Sequence, residues 1–148
     1  MGSLNLPSSG LVYIDANTAI YSVERHPVYG PLLLPLWQAA ASGSVEVVSS
    51  ELILLETLIG PLKSGDTALA LDYERLFQQP QTHFIPISQP VLRDAAQLRA
   101  SIASLRTPDA IHAATAQRAG CALFITNDVG FRSVPGLPVQ ILADLLKP

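Results

Sequence analysis

Five short apolar runs separated by helix-length segments constrain this chain more than any other feature: Leu11-Val12-Tyr13-Ile14, Val45 to Val48, His83 to Ile87, Ala122 to Ile125 and Val139 to Leu142. Runs of this length, several of them rich in β-branched and aromatic residues, read as strands buried on both faces. The segments between them read as helices: Asn17 or Thr18 through Glu24, Pro31 to Ala41, Glu51 to Ile59, Thr67 to Gln78, Val91 to Ser104, and a run from Thr107 to Gly120. Strands alternating with helices require crossovers that cover the sheet faces. The expected fold is therefore α/β, a three-layer sandwich around a mostly parallel five-stranded sheet.

Punctuating residues set the expected boundaries. His26-Pro27 breaks the first helix, Pro35 is a candidate kink in the second, and Ser42-Gly43 ends it. Ser49 and Ser50 offer caps for the third helix, and Gly60-Pro61 is expected to stop it. Asp66 caps the fourth, and Pro86 keeps the third strand away from a central position. Ser88 with Pro90 opens the fifth, while Thr107 as cap and Pro108 at the first position open the sixth. Leu145 and Leu146 are expected to fold back onto the body. The 148 residues fit one domain, with residues 1–10 read as a loosely ordered leader.

Composition narrows the chemistry. One cysteine, Cys121, rules out an internal disulfide framework and suits a reducing compartment, with the thiol as a small core group. No apolar run approaches the roughly 20 residues of a membrane span, and no basic-then-apolar leader is visible, so a cytoplasmic protein without a membrane partner is expected. The net charge of −3 argues against a simple basic nucleic-acid clamp. A bound metal ion can invert the local field, so nucleic acid stays open as a substrate. Gly-x-Ser-x-Gly, Walker and Gly-x-Gly-x-x-Gly motifs are all absent, which disfavours serine hydrolases, nucleotide triphosphatases and dinucleotide oxidoreductases.

Four acids stand out by position. Asp15 and Asp128 each follow an apolar strand at its carboxyl end, the side on which open α/β sheets bind ligands. Asp109 falls in the first turn of the sixth helix, where the dipole favours a carboxylate, so a purely stabilising role is the plain alternative. Glu56 stands inside Leu52-Ile53-Leu54-Leu55-Glu56-Thr57-Leu58-Ile59, where a charge needs a partner or a cavity. Glu51 is a second candidate in this helix. Two carboxylates ~5 Å apart repel by roughly 3 kcal/mol at an effective dielectric of ~20. Acids that converge therefore call for a cation, and oxygen-only ligands select Mg²⁺ or Mn²⁺. The three histidines are too scattered for zinc. His112, three residues after Asp109, shares its helix face and reads first as a packed histidine bonded to a neighbour, with contact to the site as the alternative. Asn17, Thr126 and Asn127 are placed to orient ligands or waters, and Arg106 or Arg132 to hold a flanking phosphate. A Mg²⁺ cluster without a phosphate-cradling loop points to phosphodiester hydrolysis.

The stretches Tyr13-Ile14-Asp15-Ala16-Asn17, Ser49 to Leu58, Arg106-Thr107-Pro108-Asp109-Ala110-Ile111-His112-Ala113-Ala114-Thr115-Ala116 and Phe124-Ile125-Thr126-Asn127-Asp128 with Phe131 resemble the PIN-domain nucleases, most of all the VapC-type toxins of toxin–antitoxin pairs. The resemblance implies a PIN-like sandwich with sheet order 3-2-1-4-5. It implies a Mg²⁺- or Mn²⁺-dependent endoribonuclease in which Asp15, Glu56, Asp109 and Asp128 hold the metal. It further implies a homodimer and a small antitoxin protein that blocks the site. Two other readings compete: a Mg²⁺-dependent phosphatase-like domain, weakened because Asn17 occupies the second place of Asp-x-Asp, and a non-catalytic RNA-binding PIN scaffold, disfavoured because all four acids are present.

Overall fold

The computed structural model describes residues 2–148. β1 (Leu11–Ile14) is followed by α1 (Ala16–Val23) and α2 (Tyr29–Ala41), and β2 (Glu46–Ser50) by α3 (Leu52–Ser64) and α4 (Thr67–Phe77). β3 (Thr82–Ile85) precedes α5 (Gln89–Ser101) and α6 (Thr107–Ala119). β4 (Leu123–Thr126) and β5 (Val139–Ile141) are linked through a 3₁₀ turn at Val129–Ser133, and a second such turn, Leu142–Leu146, follows.

The sheet order is β3-β2-β1-β4-β5 and every pairing is parallel. The chain builds outward from β1 to β3, then returns to the other side of β1 with β4. The topological switch therefore lies between β1 and β4, where an open α/β sheet forms its ligand crevice. Side chains on the central strands alternate strictly. Val12, Ile14, Val47, Leu123 and Ile125 enter one core with Leu33, Leu36 and Ala40 of α2. Tyr13, Val48 and Phe124 enter the other with Val91 and Ala95 of α5 and the alanines of α6. Tyr13 and Phe124 are register partners, and their rings stack 4.9 Å apart.

α6 is buried from Ala110 to Ala116 without interruption. A helix covered on every side needs small residues to let its neighbours approach, and the alanines supply them. Residues 2–10, expected as a loosely ordered leader, contain no helix or strand. Leu4 is nevertheless buried in the first core, and the Gly2 amide donates to the Leu145 carbonyl at 2.7 Å. Leu145 is buried as expected, whereas Leu146 stays exposed.

Several boundaries differ from the sequence reading. α3 does not stop at Gly60-Pro61 but runs to Ser64. Its end is made by Gly65 at φ 71°, with the Gly65 amide donating to Leu62 and the Asp66 amide to Pro61. That left-handed closure satisfies the last carbonyls, which Gly60 and Pro61 do not. β2 continues through Ser49 and Ser50, but of the two expected caps Ser50 does serve α3: its Oγ accepts from the Leu52 amide at 3.1 Å. The Ser49 hydroxyl instead donates to the Ile14 carbonyl at 2.7 Å, stitching β2 to β1. β3 ends before Pro86 and lies at the sheet edge.

Candidate active site at the carboxyl ends of β1 and β4

β1 runs straight into α1 through Asp15, which caps the helix in place of the expected Asn17 or Thr18. Its Oδ1 accepts from the Thr18 amide at 3.0 Å and lies 2.8 Å from Thr18 Oγ1, while Oδ2 accepts from Thr126 Oγ1 at 2.5 Å. Thr126 ends β4, so the strand pair itself clamps the carboxylate. Only 7% of Asp15 is exposed. Burial holds its carboxyl above the usual carboxylate range, against the lowering effect of the Thr126 and Thr18 hydrogen bonds. No basic side chain forms an ion pair with it among the described residues. A buried carboxylate without a cation is costly to ionise.

Asp128 follows β4 and caps the first 3₁₀ turn, its Oδ1 accepting from the Gly130 amide at 2.8 Å. A Cβ at Gly130 would stand 3.0 Å from that oxygen, so glycine permits the close fold-back. The Asp128 amide donates to Thr126 Oγ1, making Thr126 the link between the two acids.

Asp109 comes from α6, which follows a helix rather than a strand. The helix nevertheless begins at the same rim, with Arg106 as N-cap and Thr107 as its first residue, one position earlier than expected. Asp109 Oδ2 lies 3.3 Å from the Arg106 amide and 3.4 Å from Arg106 Nε. The stabilising role at the helix start is thus real. It occupies one oxygen and leaves Oδ1 without a hydrogen-bonded partner in the described residues.

Glu56 projects from the middle of α3. Its Oε1 lies 2.5 Å from His112 Nε2, and His112 Nδ1 lies 2.6 Å from Tyr13 Oη. His112 is therefore the packed, bonded histidine that was expected first, and it also lines the site. Burial holds the Tyr13 phenol well above its usual range, so it remains a donor. Glu51 is exposed and does not line the site.

All four acids line one cavity of about 430 Å³, together with Asn17, Arg106 and His112 and apolar walls that include Ile20, Leu55, Ile59 and Phe131. Thr126 does not line this cavity but orients Asp15. Asn127 is engaged elsewhere: its Oδ1 accepts from the Ala143 amide at 3.0 Å and its Nδ2 reaches Tyr21 Oη at 3.4 Å. Arg132 is paired with Asp144 and lines a separate recess beside β5. Tyr13 is the participant that sequence reasoning overlooked. The available signal was a tyrosine inside a fully buried strand, whose hydroxyl must find a partner.

The donor set suits a hard cation. Asp109 Oδ1, Asp128 Oδ2 and Glu56 Oε2 carry no hydrogen bond within the described residues, and no thiolate or unengaged imidazole stands among the acids lining the cavity. No three acidic, histidine or cysteine side chains among the described residues stand close enough to form a ready-made metal cage.

Comparison with known proteins gives the family and the fold. The family model described as "PIN domain" matches residues 12–137, and the chain belongs to that family. Among solved structures, it is similar to a chain of VapBC2 from Rickettsia felis bound to a promoter DNA fragment, at TM-score 0.71 and 19% identity, covering 88% of this chain and 98% of the other. It is also similar to a chain of DNA-bound VapBC from Salmonella typhimurium, at TM-score 0.68 and 19% identity over 88% and 97%. A third likeness is to FitAcB from Neisseria gonorrhoeae, at TM-score 0.69 and 20% identity over 90% and 99%. No curated protein sequence matches the chain. No helix of the described residues is long and apolar enough to cross a membrane.

Proposed function

We propose that this PIN-domain protein is a Mg²⁺- or Mn²⁺-dependent endoribonuclease and the toxin of a VapBC-type pair. The observation that carries the reading is the meeting of Asp15, Glu56, Asp109 and Asp128 around one cavity at the topological switch of the sheet. Asp15, buried and without a basic partner, is the residue most in need of a cation. Asp128 and Asp109 flank it, and Glu56 closes the site from α3. A divalent ion held there supplies charge neutralisation at the scissile phosphate and activation of water.

The chain's own residues supply the rest. Thr18 and Thr126 hold the Asp15 carboxylate in one orientation, so no reorganisation is needed when substrate arrives. Arg106, with 79% of its side chain exposed at the cavity mouth, is placed to contact a flanking phosphate. Arg132, tied to Asp144 outside the cavity, could contact RNA only at a more distant position. Leu55, Phe131 and Ile59 form apolar walls against which a base or sugar can rest.

The partner reading rests on α3. Leu55, Ile59 and Leu62 are exposed along it, and the first two also line the cavity. A small antitoxin covering that face would close the site at the same time. Similarity to a chain of a toxin–antitoxin complex from Klebsiella pneumoniae supports this reading, and a homodimer and cytoplasmic residence belong to it as well. The test is incubation of the purified chain with total RNA, with Mg²⁺ or Mn²⁺ and with chelator. Discrete cleavage that chelator stops and that Asp109→Asn lacks supports the proposal. Intact RNA under every metal condition, or equal cleavage by Asp109→Asn, overturns it.

A further inference from the structure

A buried hydrogen-bond chain crosses from the β2 backbone to the cavity wall. The Ser50 amide donates to Tyr13 Oη at 3.0 Å, Tyr13 Oη lies 2.6 Å from His112 Nδ1, and His112 Nε2 lies 2.5 Å from Glu56 Oε1. Tyr13 and His112 are 0% and 2% exposed, so water is excluded from the Ser50–Tyr13–His112 part of the chain, and only its Glu56 end faces the cavity. The direction of each bond follows from donor arithmetic. A backbone amide can only donate, so Tyr13 Oη accepts from Ser50. The oxygen has room to accept a second time, but its own buried proton has no hydrogen-bond partner other than His112 Nδ1 among the described residues, so Nδ1 accepts it. A ring nitrogen that accepts carries no proton, which places the imidazole proton on Nε2, facing Glu56.

We propose that His112 is a positioning residue for Glu56: the Ser50–Tyr13–His112 chain imposes the Nε2–H tautomer, which pins Glu56 Oε1 and leaves Oε2 as the oxygen offered to the cavity. This rests on the metal-site reading above and assigns Tyr13 and His112 a part in it. Leu55 and Ile59 beside Glu56 on α3 are exposed, and no hydrogen bond from α3 itself holds the Glu56 carboxylate. Three elements, β1, β2 and α6, fix it instead through one ring. Groups that orient a ligating carboxylate typically contribute 10–100-fold to metal affinity.

The experiment has two readouts on the full chain. The first is long-range ¹⁵N–¹H NMR of the histidine rings in the metal-free wild type, with His112 assigned by its loss in His112→Gln. The expected pattern is Nε2–H for His112, with an Nδ1–H fraction emerging in Tyr13→Phe. An Nδ1–H ring in the wild type overturns the proposal, and this readout needs no variant that might fail to fold. The second is Mn²⁺ binding by electron paramagnetic resonance, with folding checked by circular dichroism. His112→Phe should weaken binding about 10–100-fold, and His112→Gln, whose amide nitrogen can donate from nearly the same place, should recover at least half of that loss on a logarithmic scale. Unchanged binding by His112→Phe, or no recovery by His112→Gln, overturns the positioning role. If Asp109→Asn weakens binding while His112→Phe does not, only this inference fails. If the wild type binds no Mn²⁺, the metal-site reading falls and this inference with it.

Discussion

Asp15 and Asp144 are both aspartates with short, strong contacts, yet their surroundings are opposite. Asp15 sits at the end of β1, nearly fully buried, held only by uncharged donors, and burial raises its carboxyl above the usual range. Asp144 lies at the surface in the C-terminal 3₁₀ turn, where the Lys147 hydrogen bond and the charges of Arg132 and Lys147 lower its carboxyl. A chain with nine basic residues places two of them on Asp144 and pairs none with Asp15. The difference teaches where charge is satisfied within the fold and where it is left for something else. Asp144 forms a finished surface cluster. Asp15 is left without a charged partner among the described residues, and this is the charge that the proposed cation would balance.

The largest break in this comparison should come from activity. Asp15→Asn should lower the RNA-cleavage rate by roughly 10²-fold or more, the scale of losing one preorganised electrostatic contact. Asp144→Asn should leave the rate within the error of the assay. Initial rates on a fluorogenic RNA with saturating Mn²⁺ decide it, and equal effects of the two substitutions would erase the distinction.

Metal-linked stability comes next. An ion that binds only the folded state at about 100 times its Kd adds about 2.7 kcal/mol. Mg²⁺ should therefore raise the Tm of the wild type and of Asp144→Asn, and raise that of Asp109→Asn far less. Differential scanning fluorimetry with a Mg²⁺ series reads this directly.

The two acids should also respond to pH with opposite signs. Asp15 has a raised folded value, so the metal-free fold binds more protons than the unfolded chain. Its penalty is absent below the ordinary value of 3.8, grows as pH rises and is complete above the raised value. Urea titrations of metal-free protein at a series of pH values should show this fall in the wild type, and the difference from Asp15→Asn should isolate it. A wild type that loses no more stability than Asp15→Asn across that range would contradict the burial argument.

Asp144 supplies the smallest effect. Its lowered value makes its contribution present above 3.8 and lost as pH falls through the folded value. Because the cluster is solvated, salt should screen it. Asp144→Asn should thus lower stability slightly at neutral pH and low salt, and the difference from the wild type should vanish as pH falls through the folded value and shrink at high ionic strength. A large change at neutral pH and high salt would show that this cluster does more than surface pairing.

Much of this was legible in the chain. The first strand, Leu11 to Ile14, was delimited by its own residues, and Asp66, Ser88 and Gly120 cap or close their helices where expected. These signals are local, carried by neighbours within a turn or two. The errors were local rules overridden by packing. Gly60-Pro61 reads as a stop, but Pro61 is buried and α3 continues until Gly65 can close it. Ser49 and Ser50 read as caps; pairing with β3 keeps both in the strand, yet Ser50 Oγ still accepts from the Leu52 amide that opens α3. Asp15, a strand-end acid whose plain alternative is a turn or cap role, serves as both, because strand and helix share it without a linker.

By itself, the sequence determined the order of elements, the two acids that leave β1 and β4, and the α/β class, because apolar periods of 2 and 3.6 are properties of the backbone alone. Only the tertiary structure decided that Asp109 and Glu56 reach the same rim and that Tyr13, His112 and Glu56 form one chain. Those contacts join residues 99 and 56 positions apart. They depend on sheet order and on the angle at which α3 and α6 cross it, and no local period encodes either.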